Sequence, residues 1–342
     1  MEHAILSALL LGALMPQPSL MHSFDEQVER DFHSTKAVLA TGRLENFSKD
    51  TTSLPRAPWP VKVLSIGHTM ASYQNYGAIS SAYFHHGLDI RADAGSPVIA
   101  SRGGKVVNIE NYQPGQSAYW EIAILDDDGF LWQYHHIERS SIPQNIHQAY
   151  ANKTKIADGT KIGEVFSWGI VSFGERYHHV HLNILGANKE YLNPFAFLEP
   201  LHDTKSPEIG NITLTKNGKK VSGNSVQGNY SIAAELKDLI LSEVYFNPPN
   251  EIKITVDSDS PQTVWKFDKL PGGPSDTAFV NQFFVSSMAC GNYSCRKPVI
   301  DLGFKNQPAQ VFPLTKGNHD LKIEIWDFEN NYASKSFSWT VK

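Results

Sequence analysis

Seven of the fourteen histidines fall in three short stretches: Tyr83-Phe84-His85-His86-Gly87-Leu88-Asp89-Ile90, Gln133-Tyr134-His135-His136-Ile137 and Tyr177-His178-His179-Val180-His181-Leu182-Asn183-Ile184. Packing gives a globular chain no reason to group imidazoles in this way, whereas a divalent metal does. Zinc takes neutral imidazole nitrogens at about 2.0–2.1 Å and carboxylate oxygens at similar range, and a catalytic site keeps three protein ligands and one open position. The constraint reaches the fold, because stretches far apart in the chain must then converge on one centre.

Local pattern says how the side chains present themselves. Residues 179–184 alternate polar and apolar around a β-branched centre, which suits a strand. Residues i and i+2 of a strand share a face, so His179 and His181 project together while Val180, Leu182 and Ile184 pack behind them. In the first stretch Gly87 argues against a helix interior. The His85–Asp89 spacing is better met by a loop running into a strand at 88–91. Three ligands follow from the residues: His85, Asp89 and one of the pair His179/His181.

The set HHGLD, IRADAGSPVIASRGGKVV, WQYHHI, GTKIGEV and HHVHLNI resembles the lysostaphin-type zinc metallopeptidases, which cut peptide bonds in bacterial cell-wall peptidoglycan. The resemblance covers about residues 61–200, with an HxxxD, a Tyr-x-His and an HxH motif in that order. It implies one Zn2+ per chain held by His85, Asp89 and His181, with His136 and His179 as catalytic histidines that are not ligands. The same spacing selects His85 over His86 and His136 over His135. The implied substrates are stem peptides or cross-bridges of peptidoglycan. Two departures bear on substrate preference and on ligand orientation: Phe173-Gly174-Glu175-Arg176-Tyr177-His178 stands where the family has a small turn with Pro, and Asn183 stands where an acidic residue is common. A non-catalytic wall-binding or amidase-activating relative, and a secreted metallopeptidase acting on proteins, are the alternative readings.

The rest of the chain is read around this unit. Residues 4–15 form an apolar run of signal-peptide length, too short to span a membrane, so residues 1–23 read as a signal peptide and the protein as exported, periplasmic or secreted. Residues 24–60 read as a weak helix (24–39) and a proline-rich connector, with an inhibitory segment over the cleft as the alternative. From 61 to 200 the pattern is short strands with turns, among them Asp126-Asp127-Asp128-Gly129, a hairpin turn that lacks the ligand spacing of a calcium loop. Residues 200–207 read as a linker. From 208 to 342 histidine nearly vanishes and alternation recurs at Ile252/Ile254/Val256, Leu321/Ile323/Ile325 and Phe337/Trp339/Val341, which suggests a β-sandwich of immunoglobulin-like type. The fold class expected is therefore mostly β: an antiparallel β-sheet metallopeptidase domain followed by a β-sandwich. Cys290 and Cys295 read as a local disulfide, which needs an oxidising compartment. With 30 basic and 35 acidic residues the net charge is −5, which leaves no electrostatic footprint for nucleic acid, and no segment is long and apolar enough to be transmembrane.

Overall fold

A computed structural model describes residues 55–70, 72–75, 82–169, 171–172, 174–187, 190–270, 277–285, 298–303 and 312–342. The apolar run 4–15, the helix expected at 24–39 and the Cys290–Cys295 pair lie outside the described residues.

The N-terminal half is built on one antiparallel sheet. Its main strands are β1 (Ser65–Ile66), β2 (Leu88–Arg91), β3 (Gly104–Asn111), β4 (Trp120–Leu125), β5 (Leu131–His135) and β6 (His179–Leu185), in the spatial order β1-β2-β6-β5-β4-β3, with the short strands Lys155–Ile156, Tyr191–Leu192 and Lys269–Leu270 added to it. The turn joining β4 to β5 is made by Asp126, whose Oδ1 accepts from the amides of Asp128 and Phe130 while Oδ2 accepts from Trp132 Nε1. This is turn chemistry, as the sequence predicts. The strand expected at 88–91 is β2, and the one expected at 179–184 is β6, one residue longer. A helix that the sequence reading did not place, α1 (Gln144–Asn152), buries Ile146 and Ala149 against the sheet.

Alternation divides the sheet into two unlike faces. Leu88, Ile90, Ile122, Ile124, Trp132, Val180, Leu182 and Ile184 point to the back, into one apolar cluster with Ile146, Phe197 and Leu198. Each fully buried aliphatic side chain of this kind contributes about 1.5–3 kcal/mol from the area it removes from water. The front face is graded. At one end the register sets Asp89 beside His181, His181 beside His135 and His135 beside Glu121, a polar row across β2, β6, β5 and β4. Four residues along, Leu185, Leu131 and Leu125 make an apolar row on the same face.

The C-terminal half supplies two further sheets. One pairs β7 (Glu208–Lys216), β8 (Ser231–Lys237) and β11 (Val299–Asp301); the other pairs β9 (Glu251–Val256), β10 (Gln262–Lys266), β12 (Gly317–Trp326) and β13 (Tyr332–Val341). Their inward residues, such as Ile232 and Leu236 from one and Ile254, Ile323 and Trp339 from the other, share a single apolar cluster. That cluster also takes in Leu131, Leu185, Tyr73 and Phe84 of the N-terminal half, together with Val280 and Phe283 of α2 (Thr277–Phe283). The strand pair Tyr191–Leu192 and Lys269–Leu270 crosses between the halves. The protein is thus mostly β, antiparallel, with few helices. No helix among the described residues is long and apolar enough to cross a membrane.

Candidate metal centre

The polar end of the front face gathers the histidines. His85 enters from the loop before β2, Asp89 from β2 and His181 from β6. Their donor atoms form a triangle: His85 Nε2 to Asp89 Oδ1 is 3.1 Å, His181 Nδ1 to Asp89 Oδ1 is 2.9 Å, and His85 Nε2 to His181 Nδ1 is 2.9 Å. His85 and Asp89 are buried, and the His181 side chain is 16% exposed. Among the described residues, this trio is one of two clusters of metal-ligating side chains.

The outer hydrogen bonds fix which ring nitrogens carry protons. His85 Nδ1 lies 3.1 Å from the carbonyl of Thr69, which can only accept, so Nδ1 donates and Nε2 is the nitrogen left to bind a metal. His181 Nε2 donates to Asn183 Oδ1 at 2.8 Å, which leaves the lone pair on Nδ1. The Asn183 amide is itself oriented, since its Nδ2 donates to Gln133 Oε1 and His135 Nε2. Two nitrogen lone pairs and a carboxylate oxygen therefore point at one another across about 3 Å. That is repulsive unless a proton or a metal cation sits among them. Ligands bound to a tetrahedral zinc at 2.0–2.1 Å stand roughly 3.3 Å apart, close to the triangle found. The donor set fits zinc, with two borderline nitrogens and one carboxylate. Asp89 needs positive charge around it: burial would raise its carboxyl, and charged or hydrogen-bond-donating His85, His179 and His181 hold it well below the usual carboxylate range, a part that a cation takes over when those rings are neutral. Its second oxygen, Oδ2, accepts from Tyr177 Oη at 2.8 Å.

Beside the trio stand His136 and His179, whose rings lie 4.7 Å apart. His179 Nδ1 donates to the carbonyl of Tyr177 and His136 Nδ1 donates to that of Ala118, so both rings keep Nε2 as an acceptor. Burial depresses both imidazoles: His179 titrates at about 4, and His136, close to His179 and His181, falls well below its ordinary value. His136 also takes a left-handed backbone with φ of 64°, uncommon for a residue with a side chain. Trp168 stacks on His179 at 5.5 Å and meets His136 edge-on at 4.8 Å, walling the pair from the side.

The structure brings together His85, Asp89, His181, His136 and His179, the five residues named from the sequence. Their doublet neighbours serve elsewhere. His86 stacks on Tyr191 at 4.6 Å, His178 accepts from the Trp168 amide, and His135 lies in the polar row between Asn183 and Glu121. Of the two tyrosines in the histidine stretches, Tyr134 is fully buried on the back face and receives the Ser101 amide, whereas Tyr177 holds Asp89. Tyr177 reaches Asp89 over Gly67, where a Cβ would stand 2.0 Å from its hydroxyl. Gly87 is likewise required: a Cβ there would lie 2.3 Å from both Leu182 O and Asn183 Oδ1.

Two contributors escaped the sequence reading. His68 places its ring 5.8 Å from His85 and 5.9 Å from Tyr177, and burial lowers it to about 4; as a lone histidine after a glycine it carries no spacing signal. The second is the loop 238–247 of the C-terminal half. Tyr245 accepts from Arg91 Nη1 and packs 5.4 Å from Tyr177. Asn247 accepts from the Thr69 amide and the Ser72 hydroxyl and donates to Gly67 O, so it holds the loop whose Thr69 carbonyl orients His85.

Residues 83–194 match peptidase family M23. No curated protein matches the chain. Similar solved structures include Csd3 of Helicobacter pylori, at 19% identity over 42% of this chain and 35% of that one with a TM-score of 0.30. Another is a putative peptidase M23 from Pseudomonas aeruginosa, at 20% identity over 50% and 61% with a TM-score of 0.30. A third is the catalytic domain of the antimicrobial peptidase lysostaphin from Staphylococcus simulans, at 20% identity over 46% and 96% with a TM-score of 0.26. The chain spans about a third of the length of the first and under two thirds of the second.

Proposed function

We propose that this chain, which carries a peptidase family M23 domain over residues 83–194, is an exported zinc endopeptidase that hydrolyses peptide bonds in bacterial cell-wall peptidoglycan. The observation that carries the reading is the convergence of His85 Nε2, Asp89 Oδ1 and His181 Nδ1, with two further imidazoles alongside whose Nδ1 atoms are engaged by backbone carbonyls, His179 Nε2 lying 3.6 Å from Asp89 Oδ1. Zinc held by these three residues would supply a water ionised near pH 7 and a Lewis acid for the scissile carbonyl. The chain's own residues do the proton work. Kept neutral by burial, His179 and His136 are both bases in the resting protein. One takes the proton of the attacking water at Nε2 and returns it to the departing amine. Tyr177 and Asn183 hold Asp89 and His181 in register for this, and Trp168 keeps bulk water from one side of the pair.

We read residues 61–200 as the peptidase unit and 208–342 as a β-sandwich of immunoglobulin-like type that braces it. Digestion of purified peptidoglycan with the zinc-loaded protein, followed by mass analysis, tests the function. The expected products are muropeptides with new amino and carboxyl termini within stem peptides or cross-bridges, absent when His179→Ala is used. Intact peptidoglycan after incubation with zinc-loaded protein would overturn the substrate, and cleavage of unrelated proteins at comparable rate would move the assignment to a general peptidase.

A further inference from the structure

The second cluster of metal-ligating side chains lies where the two halves meet. Asp203 belongs to the connection after the peptidase unit, Asp238 directly follows β8, and Asp327 directly follows β12. One oxygen from each lies within 4.8 Å of the others. The three line one small pocket with Leu201, Ile240 and Phe328. Asp238 is 1% exposed, and its Oδ2, like Asp203 Oδ2, is buried and takes no hydrogen bond. The remaining oxygens are held in place: Asp238 Oδ1 by the Leu239 amide, Asp203 Oδ1 by the Lys205 amide, Asp327 Oδ1 by the amides of Glu329 and Asn331, and Asp327 Oδ2 by Asn331 Nδ2. Asn331 Nδ2 also donates to Asp203 O, so the connection and the β12–β13 turn are tied side by side.

Three carboxylates in such a place need protons or a positive partner. Among the described residues no lysine, arginine or histidine forms an ion pair with any of them; Lys205 and Lys237 pair with Glu243 and Glu208. Leaving buried carboxylates ionised and unpaired costs several kcal/mol each. Burial, followed by the charges of Asp327 and Asp203, accordingly pushes the Asp238 carboxyl well above its usual range. The donors are all oxygen, which selects a hard cation and argues against a second zinc. Calcium binds oxygen at 2.3–2.6 Å, so two of its ligands stand at most about 5 Å apart, and the cluster meets that limit.

We propose that Asp203, Asp238 and Asp327 form a calcium site that locks the C-terminal half against the peptidase unit. The site has a route to the catalytic face. Asp238 exchanges two backbone hydrogen bonds with Asn247, at 2.8 and 3.0 Å, and Ile240 O receives the amide of Ile66 in β1. Asn247 is the residue that holds the loop 67–72 under His85. Fixing Asp238 therefore fixes the loop that orients a metal ligand.

The test uses the full chain, dialysed free of divalent ions, titrated with calcium chloride to about 5 mM, above the weakest ordinary protein sites. Calorimetry should give one saturable site per chain, and thermal unfolding should move up by about 3–6 °C. Asp238→Asn and Asp203→Asn should each lose the heat and the shift while circular dichroism shows them folded; Asp203→Asn alone decides if the other fails to fold. His181→Ala, which removes a zinc ligand, should keep the full calcium response, so failure here and failure of the peptidase reading are separable. The absence of a saturable site in the unaltered protein would overturn the proposal, as would an Asn variant that responds like the original. An equal response to magnesium would overturn the choice of calcium.

Discussion

Asn183 sits two residues beyond His181 on the same strand face, and its side-chain oxygen decides which nitrogen of His181 faces His85 and Asp89. An acidic residue at this position would also accept from Nε2, so Asn183→Asp should bind zinc as the unaltered protein does. Asn183→Leu removes the acceptor and should weaken zinc about 10–100-fold in chelator competition. His179→Ala should keep its zinc and lose about 10²–10⁴ in rate on a peptide substrate; a near-normal rate would show that the proton passes elsewhere. Gly87→Ala forces a Cβ against the Leu182 carbonyl and should lower stability by about 1–3 kcal/mol in denaturant unfolding. At this scale the motif spacing was legible, down to the choice of His85 over His86, because i, i+2 and i, i+4 relations are local. His68 and Asn247 were not: each reaches the centre through a fold-level contact that leaves no trace in its own neighbours.

Among elements, the alternation of β6 foretold that His179 and His181 share a face with an apolar back, because a two-residue period is written directly in the chain. The register was another matter. That Asp89, His181, His135 and Glu121 stand in one row depends on pairing between strands far apart in sequence. The helix α1 escaped because Gln144–Asn152 holds only a thin apolar stripe, Ile146 and Ala149, without a side-chain cap at its start. At the start of β12, His319 Nδ1 pairs with Asp257 Oδ2 at 3.0 Å; this raises the imidazole and lowers the carboxyl. The carboxylate's contribution is lost as pH falls through its lowered value, and the imidazole's is lost as pH rises through its raised one. The pair should thus stabilise fully between about pH 4 and 6.5. His319→Gln should remove that pH dependence, worth under about 1 kcal/mol because the Asp257 carboxylate is 45% exposed to solvent, as read from urea midpoints across pH.

For the molecule as a whole, the sequence showed two regions of different character with a proline-flanked connection, and composition could say no more. The structure adds that the regions share one apolar cluster, in which Phe84, Leu131, Leu185 and Tyr191 meet Val280, Phe283 and Leu270. The loop bearing Tyr245 and Asn247 reaches from one region into the histidine-bearing face of the other. A fragment ending at residue 200 should therefore expose that apolar surface, lose the support of the loop 67–72 and aggregate or unfold well below the full chain's melting temperature. A fragment as stable and active as the full chain would show that the C-terminal half is only an appendage.

We propose that three lone-pair donors meet at one zinc ion while two further imidazoles stand by without binding it. Elemental analysis of the purified full chain after zinc loading and gel filtration tests it most directly. One zinc per chain is predicted for the unaltered protein and for His179→Ala, and close to none for His85→Ala, Asp89→Ala and His181→Ala. Ligand variants that keep the full zinc content, or an unaltered protein that retains none, would contradict it.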